Sequence, residues 1–349
     1  MSTWEDNVRR VVPYVPGEQP KINDIIKLNT NENPYPPSPM VINKQLELKN
    51  LRLYPDDKAL VLVDAIADYH KVDSAKVFVG VGSDDVLAME FMTFFNSDKK
   101  ILFPDITYSF YDVWAELLGI PYRQPALDEN FRLVKEDYYT ENGGIVFPNP
   151  NAPTSIAEPV SFVEDIVKHN KDVVVIVDEA YVDFGGESAL SLIDKYDNLL
   201  VVRTYSKSRS MAGIRIGYAI GSKKLIKYMN DVKFSYNSYT MNMPSQILGA
   251  ESLKDEAYFR ETVNKVIDTR EWFSKEISEL GFKCPKSSTN FIFMTHDKIP
   301  AKEIFEKARD NKIYVRYFNK PRIDNYLRVT IGTREEMEIF LDFLKSLEA

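Results

Sequence analysis

Val173-Val-Val-Ile-Val-Asp178-Glu-Ala-Tyr181 and Leu199-Leu-Val-Val-Arg-Thr204-Tyr-Ser-Lys207 decide the reading of this chain. Each is an apolar, mostly β-branched run that ends abruptly in polar residues. Runs of this kind, without alternation, read as strands buried on both faces of a parallel sheet. In open α/β sheets, ligands gather beyond the carboxyl ends of the strands. Asp178, Tyr181, Lys207 and Arg215, eight residues past the lysine, are therefore expected to face one crevice.

Working outward, strand and helix signals alternate from about residue 57. Helical spacing of Leu60, Val63, Ile66 and Ala67 is followed by a strand at 77–79 and an apolar helix at 84–95. A strand at 101–103, a helix at 110–118, a strand at 145–147, a helix at 162–169 and a strand at 218–220 extend the series. This alternation predicts a layered α/β domain with a mainly parallel sheet. After Pro244 the pattern changes. One long or kinked helical stretch at 245–280 precedes strands at 291–294, 313–317 and 326–331, with a helix at 301–310. An amphipathic helix carrying Met337, Phe340, Leu341 and Leu344 closes the chain, and this part reads as a smaller α+β domain. The expected division is 1–40 as an N-terminal arm and part of the small domain, 41–245 as the large domain and 246–349 as the small one. The arm is rich in proline and asparagine and reads as extended chain. Its Ile22, Ile25, Ile26 and Leu28 predict that it packs on something.

The totals exclude several classes. With 44 basic and 52 acidic residues the net charge of −8 argues against a nucleic-acid or anionic-membrane surface. Cys284 is the only cysteine, so no internal disulfide or thiolate cluster is expected; His70, His169 and His296 lie far apart, so no metal site is expected either. The start lacks a basic region followed by an apolar stretch, and no apolar run approaches the roughly 20 residues of a membrane span. A cytoplasmic protein is the expectation.

The chemistry of the crevice narrows the reading. Lysine attacks a carbonyl only as the neutral amine, which a dry site near another cation favours. A carboxylate after five apolar residues is costly unless paired. Opposite a pyridinium, Asp178 would form a charge-assisted hydrogen bond and hold the ring protonated. Tyr181 could donate to a ring oxygen. The helix start at Gly82, Ser83 and Asp84 offers backbone amides to an anion, and Ser206 and Arg215 add side-chain donors. Tyr108 could stack on a ring. Lysine for an aldehyde, acid for a ring nitrogen, phenol for a ring oxygen and arginine for a phosphate together suit pyridoxal 5′-phosphate. Each residue alone has a plainer role as cap, turn or core aromatic; their shared placement at strand ends carries the inference. The turn Asn149-Pro-Asn-Ala-Pro-Thr-Ser155 could add a ring-oxygen donor from Asn149 or Asn151.

Taken with Lys27-Leu-Asn-Thr-Asn-Glu-Asn-Pro34, Tyr54-Pro-Asp56, Gly213-Ile-Arg215 and Leu327-Arg-Val-Thr-Ile-Gly-Thr333, these segments resemble fold-type I pyridoxal-phosphate aminotransferases nearly end to end. The resemblance is closest to the histidinol-phosphate aminotransferase family. It implies a seven-stranded-type sheet with helices on both faces, and a homodimer in which Tyr54 reaches the phosphate of the partner subunit's cofactor. It implies that Lys207 binds the aldehyde and shuttles the proton, with Asp178 on the ring nitrogen, Tyr181 at the ring oxygen beside Asn151 or Asn149 in place of the usual asparagine, and Thr204 among the cofactor contacts. Arg328 and Arg316, with Tyr14 and Asn29, would recognise the substrate's phosphate or carboxylate. Family members usually carry asparagine where Ala152 stands and glycine where Ser155 stands. The implied substrates are histidinol phosphate and 2-oxoglutarate. A threonine-phosphate decarboxylase, an aromatic aminotransferase and a pyridoxal-phosphate-binding regulator without turnover are the alternatives.

Overall fold

In the computed structural model the chain is described at residues 8–14, 17–21 and 24–347. Ile22 lies outside these residues. A seven-stranded sheet runs in the order Val77–Gly80, Gly217–Gly221, Leu199–Thr204, Val175–Asp178, Ile145–Pro148, Ile101–Leu102, Tyr122–Arg123. Only Gly217–Gly221 runs against its neighbours. Val175–Asp178 and Leu199–Thr204 are adjacent, in register with Asp178 beside Val202. Because side chains alternate across a strand, Val175 and Val177 enter one apolar cluster and Ile176 the other, on opposite faces. Both faces are covered, which is why the strands carry no polar alternation. Leu60–His70 and Val160–His169 cover the first face; Ser83–Phe94, Tyr111–Leu118 and Lys223–Tyr236 cover the second.

A second core joins Glu256–Glu279, Ala301–Asp310 and Arg334–Ser346 to a four-stranded antiparallel sheet. Its order is Arg316–Tyr317, Leu327–Thr330, Phe291–His296, Phe282–Lys283. The helical stretch expected at 245–280 is two helices, Met243–Ser252 and Glu256–Glu279, because Asp255 caps the second through the Tyr258 amide. The segment expected at 313–317 is likewise divided. Arg316–Tyr317 joins the four-stranded sheet, while Ile313–Tyr314 pairs in parallel with Ile26–Lys27. That pairing, with Leu28 buried, ties the arm to the C-terminal part of the chain. No helix among the described residues is long and apolar enough to cross a membrane.

Candidate active site

Five chain segments meet at one edge of the large sheet. Val175–Asp178 and Leu199–Thr204 deliver Asp178 and Lys207 from their carboxyl ends. Val77–Gly80 delivers Gly82 and Ser83, and Ile101–Leu102 leads to Tyr108. Gly217–Gly221 runs the opposite way, so its beginning lies at the same edge, with Gly217 paired to Thr204, and brings Arg215 there. Two cavities open at this edge. One, of about 240 Å³, is lined by Ser83, Asp84, Asp178, Ser206 and Arg215; the other, of about 170 Å³, by Tyr14, Asn29, Asn31, Arg316 and Arg328. Tyr108, Ala152, Tyr181 and Lys207 line both. The molecule has larger hollows, of about 410 and 490 Å³, but neither gathers an acid, a lysine and phosphate donors at strand ends.

Asp178 is buried, and its Oδ2 accepts a hydrogen bond from the Tyr111 hydroxyl at 3.0 Å while Oδ1 accepts from the Ala180 amide at 3.1 Å. Burial pushes its carboxyl up to about 6, against the pull of those two donors. A cation placed opposite would restore the full carboxylate. Tyr181 accepts from Asn31 Nδ2 at 2.9 Å, which leaves its own O–H to donate. Lys207 Nζ lies 5.6 Å from the Tyr181 ring centre.

The phosphate end is a built cradle. Gly82 has φ +86°, and a Cβ there would lie 2.5 Å from Arg215 Nη2. A Cβ on Gly217 would lie 2.3 Å from the Gly82 carbonyl carbon and the Ser83 nitrogen. Only glycine at both positions lets the guanidinium lie across the helix start. Arg215 Nη2 meets Asp84 Oδ2 at 3.2 Å, and Tyr108 donates to Asp84 Oδ1 at 2.7 Å. Burial, then Asp84's charge, hold the Tyr108 phenol well above its ordinary value, so it stays a donor. Thr204 lies beneath Ser206, with its Oγ1 accepting from the Ser206 amide at 3.1 Å. A flat pyridine with aldehyde, hydroxyl and phosphate arms fits this donor set: Asp178 for the nitrogen, Tyr181 for the ring oxygen, Lys207 for the aldehyde, and Ser83, Ser206 and Arg215 for the phosphate.

In the second cavity Arg316 and Arg328 are direct cross-strand partners. Like charges so placed repel. Neither meets a carboxylate among the described residues, and Arg328 Nε is buried without a partner. Arg328 Nη2 donates to the Asn29 carbonyl at 2.9 Å. Burial, and less strongly Arg316, works against the Arg328 cation. Asn29 spends its Nδ2 on the Glu18 carbonyl, and its buried Oδ1 has no partner. Tyr14 stacks on Phe110 with ring centres 4.1 Å apart.

Three of the expected residues, Asn151, Asn149 and Tyr54, lie outside both cavities, and the last was expected at the partner subunit's cofactor. Asn151 spends its amide on the Ile106 carbonyl and Thr154, accepts from Thr107, and lines neither cavity. Asn149 is likewise closed in a pair of bonds with the Glu158 backbone. Tyr54 is 81% exposed and stacks on Tyr239, outside both cavities. Three residues that were not singled out do contribute. Tyr111 supports Asp178, Asn31 supports Tyr181, and Asn33 Nδ2 donates to the Lys207 carbonyl at 3.0 Å. Asn31 and Asn33 belong to the asparagine-rich run beginning at Asn29, and that run was the signal available for them.

The family model for aminotransferase class I and II matches residues 23–344, and the chain belongs to that family. A histidinol-phosphate aminotransferase of Lactococcus lactis subsp. lactis (strain IL1403) is 50% identical over 345 residues, 98% of this chain and 96% of that one. One of Clostridium botulinum (strain Langeland / NCTC 10281 / Type F) is 51% identical over 346 residues, 99% and 98% of the two chains. The crystal structure of the histidinol-phosphate aminotransferase from Clostridium acetobutylicum shares the fold, with a TM-score of 0.86 over 93% of this chain and 99% of that one at 24% identity. The resemblance to fold-type I aminotransferases, and the α/β architecture it implied, are borne out.

Proposed function

We propose that the chain moves the amino group of L-histidinol phosphate to 2-oxoglutarate, giving imidazole-acetol phosphate and glutamate, with pyridoxal 5′-phosphate as cofactor. This is a step of histidine biosynthesis, and we place it in the cytoplasm. The observation that carries the substrate reading is the facing pair Arg316 and Arg328, two guanidiniums with no carboxylate of their own among the described residues, beside the lysine–aspartate site. Two full-length relatives near 50% identity bear the name of this reaction.

The cofactor would supply an aldehyde to receive the amino group and an electron-poor ring that acidifies the neighbouring C–H bond. Asp178 holds the proton on the ring nitrogen, and Tyr181 donates to the ring oxygen. The Ser83 amide, Ser206 and Arg215 anchor the phosphate. Lys207 Nζ would hold the aldehyde, and as a free amine it would move the proton between the substrate Cα and the former aldehyde carbon. Arg316 and Arg328 hold the phosphate of one substrate and a carboxylate of the other, so one anion site serves both halves of a ping-pong cycle. Ala152 stands where an asparagine donor would be, so Tyr181 is the ring oxygen's principal donor. Tyr54, exposed with Leu51, Leu53, Leu60, Val61 and Tyr239, lies in an apolar surface that suits a second copy of the chain. In the dimer it would reach the partner subunit's cofactor phosphate.

The test is an assay of purified protein with histidinol phosphate, phenylalanine and threonine phosphate, each with and without 2-oxoglutarate. Turnover of histidinol phosphate that depends on 2-oxoglutarate is expected. CO2 release from threonine phosphate without the acceptor would overturn the reading.

A further inference from the structure

Behind the strand ends lies a partly buried polar chain that the reaction as described does not use. Glu179 follows Asp178 but turns to the other side of the strand end. Its Oε1 accepts from the Ala189 amide at 2.6 Å, and its Oε2 accepts from Ser188 Oγ at 2.7 Å and Arg203 Nε at 3.1 Å. Arg203, on the strand that leads to Lys207, reaches a second carboxylate through Nη1, Asp183 Oδ1, at 3.2 Å. The other oxygen of Asp183 accepts from Ser208 Oγ at 2.6 Å. Ser208 is 2% exposed and directly follows Lys207. From the opposite side, Asn33 Nδ2 donates to the carbonyls of both Lys207 and Ser208. The backbone of residues 207–208 is thus gripped between the arm and the Asp183 carboxylate.

We infer that the Glu179–Arg203–Asp183–Ser208 chain positions Lys207, and that Ser208 and Asp183 are positioning residues for the transamination proposed above, on which this inference rests. A lysine carries its amine on a flexible four-carbon stem. The stem does not restrain Nζ, so the place where the stem begins must be fixed by the backbone. Stability alone is a poor reason for the chain, because buried ion pairs seldom gain over apolar replacements of similar volume. The route also joins both working strands, because Glu179 is the residue beside Asp178 and Ser208 the residue beside Lys207. A shift at either strand end is transmitted to the other.

Ser208→Ala removes the final link without stranding a buried charge, and Asp183→Asn weakens it from the other side. We expect kcat to fall about tenfold in each variant, in line with the cost of small misplacements of a reacting group. KM for the amino donor stays within about twofold, because the anion site is untouched. Titration of the cofactor-free variants with pyridoxal phosphate, followed by its visible absorbance, shows weaker binding than wild type. The double variant loses no more than either single one, because both cut the same link. Wild-type kcat and cofactor affinity in both single variants, whatever happens to their melting temperatures, would overturn the inference, as would independent, multiplying losses in the double variant. All values are ratios to wild type with whichever amino donor it uses. A failure here leaves the proposed reaction standing, whereas a wild-type protein that transaminates nothing would remove the reaction itself.

Discussion

The two ends of the site match their charges differently. At the sheet edge the fold supplies partners for its own polar groups: Asp178 has Tyr111 and the Ala180 amide, and Asp84 has Arg215 and Tyr108. At the small-sheet end, Arg316 faces Arg328 with no carboxylate between them among the described residues. The first region is organised before any ligand arrives. The second holds two like charges face to face, a repulsion that an anionic substrate would relieve, so binding energy would be released away from the reacting atoms while the chemistry keeps a rigid setting.

The comparison can be broken most severely at Lys207. Lys207→Ala should cut turnover by about 10³-fold or more, while thermal unfolding of the cofactor-free protein stays near wild type. Substantial single-turnover transfer in that variant would remove the sheet edge as the seat of chemistry.

Asp178 gives the next effect. Its carboxyl is raised from 3.8 to about 6 in the folded protein, so between those pH values the native state keeps a proton that the unfolded chain has lost. Stability of the cofactor-free protein therefore falls as pH rises through that window and levels off above it. Asp178→Asn lacks the titrating group and should gain about 2 kcal/mol relative to wild type between pH 4 and 7, read by urea unfolding at both values. A constant difference across this range would contradict the assigned burial cost. The same variant, loaded with cofactor, should lose turnover.

Arg328→Met sharpens the contrast from the other side. Losing one charged hydrogen-bonding group, worth about 1.5–3 kcal/mol, should lower kcat/KM for the phosphate-bearing donor roughly 10- to 100-fold and leave cofactor affinity unchanged. Inorganic phosphate at about 100 times its Kd should stabilise cofactor-loaded wild type by about 2.7 kcal/mol and the Arg328→Met variant much less. Equal protection of both would show that the arginine pair is not the anion site.

The smallest effect belongs to Ala152→Asn. It offers the ring oxygen a second donor at an end already provided by Tyr181. One neutral hydrogen bond contributes about 0.5–1.5 kcal/mol, so cofactor affinity should change less than about tenfold. A larger gain in a cofactor titration would mean that Tyr181 does not hold the ring oxygen.

The same contrast governs what could be read from the sequence. The sheet edge was legible because a buried parallel strand has a one-dimensional signature, and Asp178, Tyr181, Lys207 and Arg215 sit at fixed offsets from its end. Tyr111 and Asn31 were not, because their roles arise from contacts 67 and 150 residues away along the chain. Asn151 shows the converse. As a residue type it is a good donor, but the folded turn consumes its amide internally. The break between Met243–Ser252 and Glu256–Glu279 hides inside a continuous helical pattern and is marked only by the Asp255 cap.

The account turns on which amine meets the cofactor. Borohydride reduction of the pyridoxal-phosphate-loaded protein, followed by peptide mass mapping, measures this directly. The account predicts one modified peptide per chain, with the pyridoxyl mass on Lys207. A label on another lysine, or a fully loaded protein that takes no label at Lys207, would contradict it.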